Sequence, residues 1–421
     1  MVTSVISAGD AANLGVQTTG GNDGVLVLRS GAAGAKVDAL SIAASGTATF
    51  VGEVAGVTAI NSGQIGGRRN IMHNGDFKIA QRGASSTGLG AASGYFTVDR
   101  FYMQSAATAG RYTMAQVADG PAGFANCLKL TTTTADTSIA AGEYLLLSSN
   151  IEGQDLQHLK KGTASAEQVT VSFWVKGNAA ALYVCELQDL DTAGGRVNTQ
   201  SFAVTTSWNR IELTFAGDTT GALNDDNGAS LGLNFWLHVG STYGGGTFAG
   251  DNTWAGITQA NRAAVDGFTS IFDATSRTFF ITGVQMEIGA TATEFESRTF
   301  GEELALCQRY LPAYNSSGDG TGFEGFAIGP VSGTTAGEVN YYFLVEPRVK
   351  PTGITVNDVA RFQIYSAGSG VLQTSAISFN TSSPRACRVS CSFASNGAVG
   401  QVLELSSKHA SAQILFTGSE L

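Results

Sequence analysis

Hydrophobic and polar positions alternate along much of the chain with the period of two that is typical of half-buried β-strands. The pattern is clearest between residues 169 and 239, where each strand-like run has one apolar face and one polar face. Glycine-containing turns such as Asp226-Asn227-Gly228 separate the runs. Short antiparallel strands at this spacing predict a jelly-roll β-sandwich, which we place at residues 67–298. The apolar faces are Val169, Val171, Phe173 and Val175; Ile211, Leu213 and Phe215; and Leu231, Leu233, Phe235, Leu237 and Val239.

The last strand of this sandwich runs directly into a segment with a different period. Alternation after Phe279 places Phe280, Val284, Met286 and Ile288 on one face. From residue 299 the apolar positions instead recur every three to four residues, and Thr299 with Glu302 has the spacing of a helix capping box. Pro312 cannot extend a helix. We therefore predict one linking helix over residues 299–311.

The two flanking segments are also predicted to be β-structure, so the predicted fold class is all-β. Beyond Pro312 the alternation returns and indicates a smaller β-sandwich knob over residues 312–421, with Tyr341, Tyr342, Tyr365 and residues 315–323 as candidate exposed surface. Residues 1–66 contain short β-like runs with few large apolar side chains, so no run could bury a core alone. Such a segment is either disordered or wound against copies of itself. We favour the second alternative, an intertwined trimeric shaft.

Composition and charge narrow the function. The chain has 421 residues, of which 54 are glycine and six are proline, which suits many strands joined by tight turns. Its 24 basic and 34 acidic residues give a net charge of −10, and nucleic acid is an unexpected partner for such a chain. No run of eighteen apolar residues is present, so we expect a soluble protein without membrane insertion. The five scattered cysteines are expected to act as small apolar side chains.

Several stretches resemble the tail-fibre proteins of bacteriophages and prophages. They include residues 63–77, the Gln81-Arg82-Gly83 and Asp99-Arg100-Phe101 triplets, and the string Phe-Gly-Glu-Glu-Leu-Ala-Leu-Cys-Gln-Arg-Tyr at residues 300–310. The resemblance implies a homotrimeric virion component, assembled in the host cytoplasm, that binds host-surface glycans through a carbohydrate-binding-module-like jelly roll. It also implies three kinds of partner: two further copies of the chain, a phage tail or baseplate protein at the N-terminus, and a bacterial surface polysaccharide.

The polar faces of the predicted sandwich strands carry a candidate carbohydrate site. An indole beside amide, imidazole and guanidinium groups can hold the apolar face of a sugar while the polar groups bind its hydroxyls. If these side chains are exposed, Trp174 and Trp236 could each be replaced by alanine without loss of the fold. The alternative is that the face packs under a loop, under the neighbouring domain or at a trimer contact. The candidates are Trp174, Lys176, Arg210, Asn234, Trp236 and His238, with Tyr243 and Trp254 from the following glycine-rich loop.

The sequence gives weaker indications of a metal site or of catalytic activity than of a carbohydrate site. Asn74, Asp76 and Glu287 could supply oxygen ligands to a structural calcium ion if the first and last sandwich strands pair, although Asn74-Gly75-Asp76 is also an ordinary turn. No other cofactor is expected. The chain lacks the zinc-protease, nucleophile-elbow, phosphate-loop and Cys-x-x-Cys motifs. We therefore expect a binding protein and not an enzyme, with a tailspike-type glycan depolymerase or a capsid decoration protein as alternatives.

Overall fold

The structure is a computed structural model that describes residues 68–316, 324–394 and 396–421, together with the backbone of six short strands nearer the N-terminus. The chain divides into two compact units, Met1–Asn61 and Ser62–Leu421. The strands in chain order are β1 (Gln17–Gly20), β2 (Leu26–Ser30), β3 (Val37–Ile42), β4 (Ala48–Phe50), β5 (Ala59–Ile60), β6 (Gly63–Gln64), β7 (Ser85–Leu89), β8 (Tyr102–Ala106), β9 (Arg111–Val117), β10 (Cys127–Thr134), β11 (Tyr144–Glu152), β12 (Val169–Gly177), β13 (Ala181–Asp189), β14 (Arg196–Val204), β15 (Asn209–Phe215), β16 (Ala229–Val239), β17 (Ala255–Gly256), β18 (Thr278–Ile288), β19 (Ala313–Asn315), β20 (Glu324–Gly333), β21 (Ala336–Tyr342), β22 (Gly353–Val356), β23 (Phe362–Ser366), β24 (Gly370–Ser382), β25 (Ala386–Phe393), β26 (Val402–Ser407) and β27 (Gln413–Thr417).

Helices are few, and the all-β class is confirmed. The α-helices are α1 (Ser241–Gly244) and α2 (Phe300–Gln308), and single 3₁₀ turns lie at Gly153–Asp155, Gln157–Leu159, Gln259–Asn261 and Val359–Arg361. No helix in the described residues is long and apolar enough to cross a membrane. All five cysteines are buried free thiols, as expected for small apolar side chains.

Among the described strands of the first unit, four form an antiparallel sheet with the strand order β1-β2-β3-β4. Each strand pairs with the next one along the chain. Apart from the short strands β5 and β6, the remaining residues of the predicted shaft lie outside the described residues, and the trimeric state stays a prediction.

Two six-stranded antiparallel sheets form the predicted jelly-roll sandwich in the second unit. Sheet I has the order β15-β12-β18-β10-β9-β7, and sheet II has the order β17-β14-β13-β16-β11-β8. The apolar faces predicted from alternation meet between the sheets, where Val171, Phe173 and Phe235 are completely buried. Burial of these faces is the main force that holds the two sheets together.

A β-bulge in β18 corrects one predicted face. The pairing of β12 with β18 shifts register between Ser172 and Trp174, opposite Gly283, whose φ is +64°. This extra residue reverses the alternation, so Phe279 and Ile281 lie in the core and Phe280 lies on the outer face of sheet I. The sequence pattern had placed Phe280 on the same face as Val284.

Helix α2 has the predicted cap at Thr299, but its helical residues are Phe300–Gln308, so it ends before the predicted residue 311. The Thr299 side chain accepts a hydrogen bond from the Glu302 backbone N–H, and the Glu302 carboxylate accepts one from the Thr299 backbone N–H. These reciprocal bonds satisfy two backbone donors that a helix N-terminus otherwise leaves unpaired.

The C-terminal domain is a closed barrel and a small sheet, where the sequence had suggested a second sandwich. The barrel order is β20-β21-β25-β24-β23-β26, and β19-β27-β22 form the additional three-stranded sheet. Register shifts interrupt the pairing of β20 with both of its neighbours, and two more interrupt the pairing of β24 with β25. Bulges bend and twist strands, which allows a sheet of only six strands to close on itself.

The stretches that carry the tail-fibre resemblance meet where α2 and the barrel contact the sandwich. Arg309 forms two hydrogen bonds to the buried Glu152 carboxylate, at 2.7 and 2.6 Å. The Arg100 guanidinium lies 3.3 Å from the centre of the Tyr310 ring. Arg82 forms an ion pair with Glu420 near the C-terminus. We call this set of contacts the joint; its residues fix the end of α2 and the C-terminal segment on the sandwich.

Candidate functional site

The structure buries three of the predicted carbohydrate-binding residues. Asn234, Trp236 and His238 point away from the sandwich core, as alternation predicted, but they are only 2%, 1% and 0% exposed. The segment that follows β16 folds back over this face of sheet II. Trp236 packs there against Leu146, Val184 and Ala263, in a second hydrophobic cluster. The expected exposed platform is therefore absent at these three positions.

A buried ion pair lies beside the Trp236 ring. The Arg262 guanidinium lies 4.8 Å from the ring centre and donates to the Glu186 carboxylate, with Nε 2.8 Å from Oε2. The Asn234 amide donates to the other oxygen of Glu186 at 2.9 Å. Asn234 therefore has a structural partner inside the protein.

The two loop aromatics also pack against the chain itself. Tyr243 is half-buried, with its ring centre 5.1 Å from that of Tyr144 in an edge-on contact. The Trp254 indole N–H donates to the Ala216 carbonyl at 2.7 Å, and its ring packs against the sandwich core. These contacts explain how a glycine-rich loop keeps aromatic side chains without a ligand.

Trp174, Lys176 and Arg210 share the outer face of sheet I, as predicted. All three are half-buried. The Lys176 ammonium lies 4.8 Å from the centre of the Phe280 ring and 2.9 Å from Asp119, and Arg210 pairs with Glu212 at 3.0 Å. We call this surface the outer patch. Its aromatic rings suit a sugar, but its cations already have partners.

The residues predicted for calcium each have a separate set of protein partners. Asn74 Oδ1 accepts the Ile79 backbone N–H at 2.9 Å, and Asp76 pairs with Lys78 at 2.7 Å. Glu287 accepts three hydrogen bonds, two from Thr293 and one from Gln285. Lys78 thus places a positive charge beside Asp76, as a bound cation would. A calcium ion at these residues stays a prediction.

A groove on the outside of the barrel is a candidate site of a different kind. Its volume is about 700 Å³, and β20, β21 and the start of β26 form its walls. Tyr342 and Ile328 project into solvent at 71% and 62% exposure. At the floor of the groove β20 approaches β21 very closely at Gly329, where a Cβ atom would lie 1.7 Å from the Glu338 carbonyl oxygen. Only glycine permits this approach.

The groove combines aromatic and amide groups. The Tyr341 ring stacks on Phe326, with centres 4.9 Å apart and planes at 12°, and both rings line the groove. Burial raises the pKa of Tyr341, so its hydroxyl remains a hydrogen-bond donor at neutral pH. The side-chain amide of Asn340 takes part in no hydrogen bond to the described residues, and Gln401 provides a second amide.

Sequence reasoning found part of this groove. The terminal position of the last domain predicts Tyr341 and Tyr342 as candidate surface, whereas Asn340, Gln401 and Ile328 give no separate signal in the sequence. Tyr365 is 47% exposed but does not line the groove. Residues 317–323 of the proposed surface loop lie outside the described residues.

Comparison with known proteins gives similarity to solved structures only. No family model and no curated protein matches the chain. A family 11 carbohydrate-binding module from Clostridium thermocellum, solved with a mixed-linked tetrasaccharide, is 14% identical, with 50% of this chain and 98% of that chain covered and a TM-score of 0.26. The CBM22-1 xylan-binding domain of Paenibacillus barcinonensis Xyn10C is 13% identical, with 56% and 100% covered and a TM-score of 0.26. The enzymatically active domain of bacteriophage CBA120 tailspike protein 4 is 12% identical, with 52% and 21% covered and a TM-score of 0.26. These matches assign no family to the chain.

Proposed function

We propose that this chain binds a polysaccharide in the barrel groove. The observation that carries the proposal is the exposed Tyr342 ring beside the Asn340 amide, which has no hydrogen bond to the described residues. A pyranose ring offers an apolar C–H face to an aromatic ring and hydroxyl groups to amides, so this pair matches both parts of a sugar. A groove of about 700 Å³ has room for more than one sugar unit.

We infer that binding takes place without hydrolysis. Glycoside hydrolysis requires two carboxyl groups on either side of the scissile bond. The described residues that line the groove include no aspartate and no glutamate. This composition supports a binding site over a depolymerase.

The biological setting we propose is the tail fibre of a bacteriophage, with the chain as a receptor-binding component that recognises a host-surface polysaccharide during adsorption. The stretches that resemble tail-fibre proteins support this assignment, and they imply a homotrimer attached to the tail or baseplate through residues 1–66. A capsid decoration protein with the same domains is the alternative, and it requires a different attachment partner.

Three alanine variants test the binding site. Tyr342→Ala should weaken binding to purified host polysaccharide by about 1 to 3 kcal/mol, the range for removing an aromatic anchor. Tyr365→Ala removes an exposed tyrosine of the same barrel outside the groove and should bind normally. Loss of binding only in Trp174→Ala would move the site to the outer patch and refute the groove. Reducing ends released in proportion to protein and time would refute the inference of binding without hydrolysis.

A further inference from the structure

Asp136, Glu143 and His238 form a buried cluster at one end of the sandwich. Asp136 follows β10, Glu143 precedes β11 and His238 lies near the end of β16. One ligand atom from each lies within 4.8 Å of the others, and His238 Nε2 is 3.3 Å from Glu143 Oε2. None of the three residues is more than 5% exposed. This juxtaposition is the starting point of a proposal that is independent of the groove.

The two carboxylates of the cluster have no lysine or arginine partner among the described residues. Other buried carboxylates of the sandwich, such as Glu152, Glu186 and Asp218, are paired with arginine or lysine. In the part of the chain that the structure describes, no lysine or arginine lies within ion-pair distance of Asp136 or Glu143. Even a protonated imidazole would balance only one of the two carboxylates. Buried charges in proteins are normally paired or bound to a metal ion.

Neighbouring groups hold two of the three side chains in position. Asp136 Oδ2 accepts hydrogen bonds from the Thr108 hydroxyl at 3.0 Å and from the Ala109 backbone N–H at 2.8 Å, with a longer one from Gly110 at 3.3 Å. His238 Nδ1 lies 2.7 Å from the Ser270 hydroxyl oxygen. Bonds of this kind orient the ligands of metal sites. They leave His238 Nε2 directed at Glu143.

The site lies next to solvent-exposed chain and to a cavity. Residues 137–142, between the two carboxylates, are all exposed. Ser270, which contacts His238, lines a cavity of about 190 Å³ together with Ile139 and Gly240. The cluster is therefore separated from solvent by a short exposed segment and not by the core of the sandwich.

We propose that Asp136, Glu143 and His238 bind a zinc ion. An imidazole nitrogen with carboxylate oxygens is a donor set that suits zinc, whereas calcium takes oxygen ligands. In a tetrahedral zinc site, bonds of about 2.0 to 2.2 Å place neighbouring ligand atoms roughly 3.3 to 3.6 Å apart. The separation of 3.3 Å between His238 Nε2 and Glu143 Oε2 fits this geometry, and the Asp136 carboxylate, within 4.8 Å of the other two ligand atoms, would move closer when the ion binds. The ion would fasten the segment between β10 and β11 to the end of β16.

Zinc titration of the chelator-treated full-length chain tests the proposal. We expect one zinc ion per chain by elemental analysis, a rise in melting temperature on addition of zinc, and visible absorption of tetrahedral cobalt when Co²⁺ replaces zinc. Glu143→Gln and Asp136→Asn preserve side-chain size and should each weaken zinc binding roughly 100-fold or more. Glu287→Gln is the control for zinc affinity alone, since Glu287 is a similarly buried carboxylate without a basic partner among the described residues but is itself a predicted calcium ligand.

Several outcomes would overturn the zinc site. These are the absence of stoichiometric zinc in the wild-type chain, binding of Ca²⁺ but not of Zn²⁺, or undiminished zinc affinity in Glu143→Gln. If that variant does not fold, as judged by circular dichroism without metal, Asp136→Asn and the cobalt spectrum of the wild-type chain decide the question. Equal loss of zinc in Glu287→Gln would also refute the assignment.

Discussion

Replacement of Trp236 distinguishes the structural role seen here from the binding role that alternation suggests. Trp236 is 1% exposed and packs under the segment after β16, against Leu146 and Val184. Truncation of a buried tryptophan to alanine costs about 3 to 5 kcal/mol. The indole N–H has no hydrogen-bond partner in the described structure, so its removal relieves a desolvation cost of about 1 to 3 kcal/mol. We therefore expect Trp236→Ala to lower the free energy of unfolding by about 2 kcal/mol, the difference between the midpoints of these two ranges.

Trp236→Phe is the matched control for this prediction. Phenylalanine keeps most of the buried ring and removes the unpaired N–H, but weakens the contact with Arg262. The change in unfolding free energy should stay below about 1.5 kcal/mol. Urea denaturation, followed by circular dichroism, measures both variants, and polysaccharide binding is measured on the folded phenylalanine variant. Unchanged stability in Trp236→Ala together with lost binding would refute the buried role.

Three further predictions concern the joint, its pH dependence and assembly. Arg309→Gln leaves the buried Glu152 carboxylate without its arginine partner and should lower the free energy of unfolding, measured by urea denaturation, by about 3 to 5 kcal/mol. Arg385→Gln removes an exposed ion pair and should lower it by less than about 1 kcal/mol. Equal losses in the two variants would contradict the structural role of the joint. Burial raises the pKa of Asp99 from 3.8 to about 6, against the opposing effects of Arg82 and Gln81, so the folded state holds this proton more tightly. The contribution of Asp99 to the free energy of unfolding should therefore fall by up to roughly 3 kcal/mol as pH rises from about 4 to 7. Asp99→Asn should remove this fall. If the free energies of unfolding of the two proteins change with pH in parallel, the raised pKa of Asp99 is contradicted. If residues 1–66 form a trimeric shaft, light scattering should give about three times 43.4 kDa, deletion of the segment should weaken the trimer, and a monomeric full-length chain would disprove the shaft.

Alternation predicts which face of a strand meets the core, and the sandwich follows it closely. Phe173 and Phe235 are buried where the pattern places them, and the capping residues Thr299 and Glu302 mark the start of α2. These features depend on residues that are close to one another in the chain, so they can be predicted from the sequence pattern. The local pattern was therefore sufficient for the strands of the sandwich, for most of their inner faces and for the start of the linking helix.

Features that depend on contacts between residues far apart in the chain could not be predicted from the local sequence pattern. Alternation places Trp236 opposite the core but does not say that a later segment covers that face. One additional residue at Gly283 moved Phe280 to the other side of its sheet. Asp136 and His238 meet across about a hundred residues, so no spacing motif marks their cluster. Closure of the C-terminal barrel likewise depends on bulges that the pattern does not show.

Hydrogen exchange of the full-length chain with and without host polysaccharide is the most direct test of the binding site. The proposed groove predicts added protection of backbone amides in β20, β21 and β26, with little change in β12 and β15. Tyr342→Ala should lose that added protection while its exchange without ligand remains normal. Protection centred on β12 and β15, or no protection at a polysaccharide concentration that saturates binding, would contradict the account.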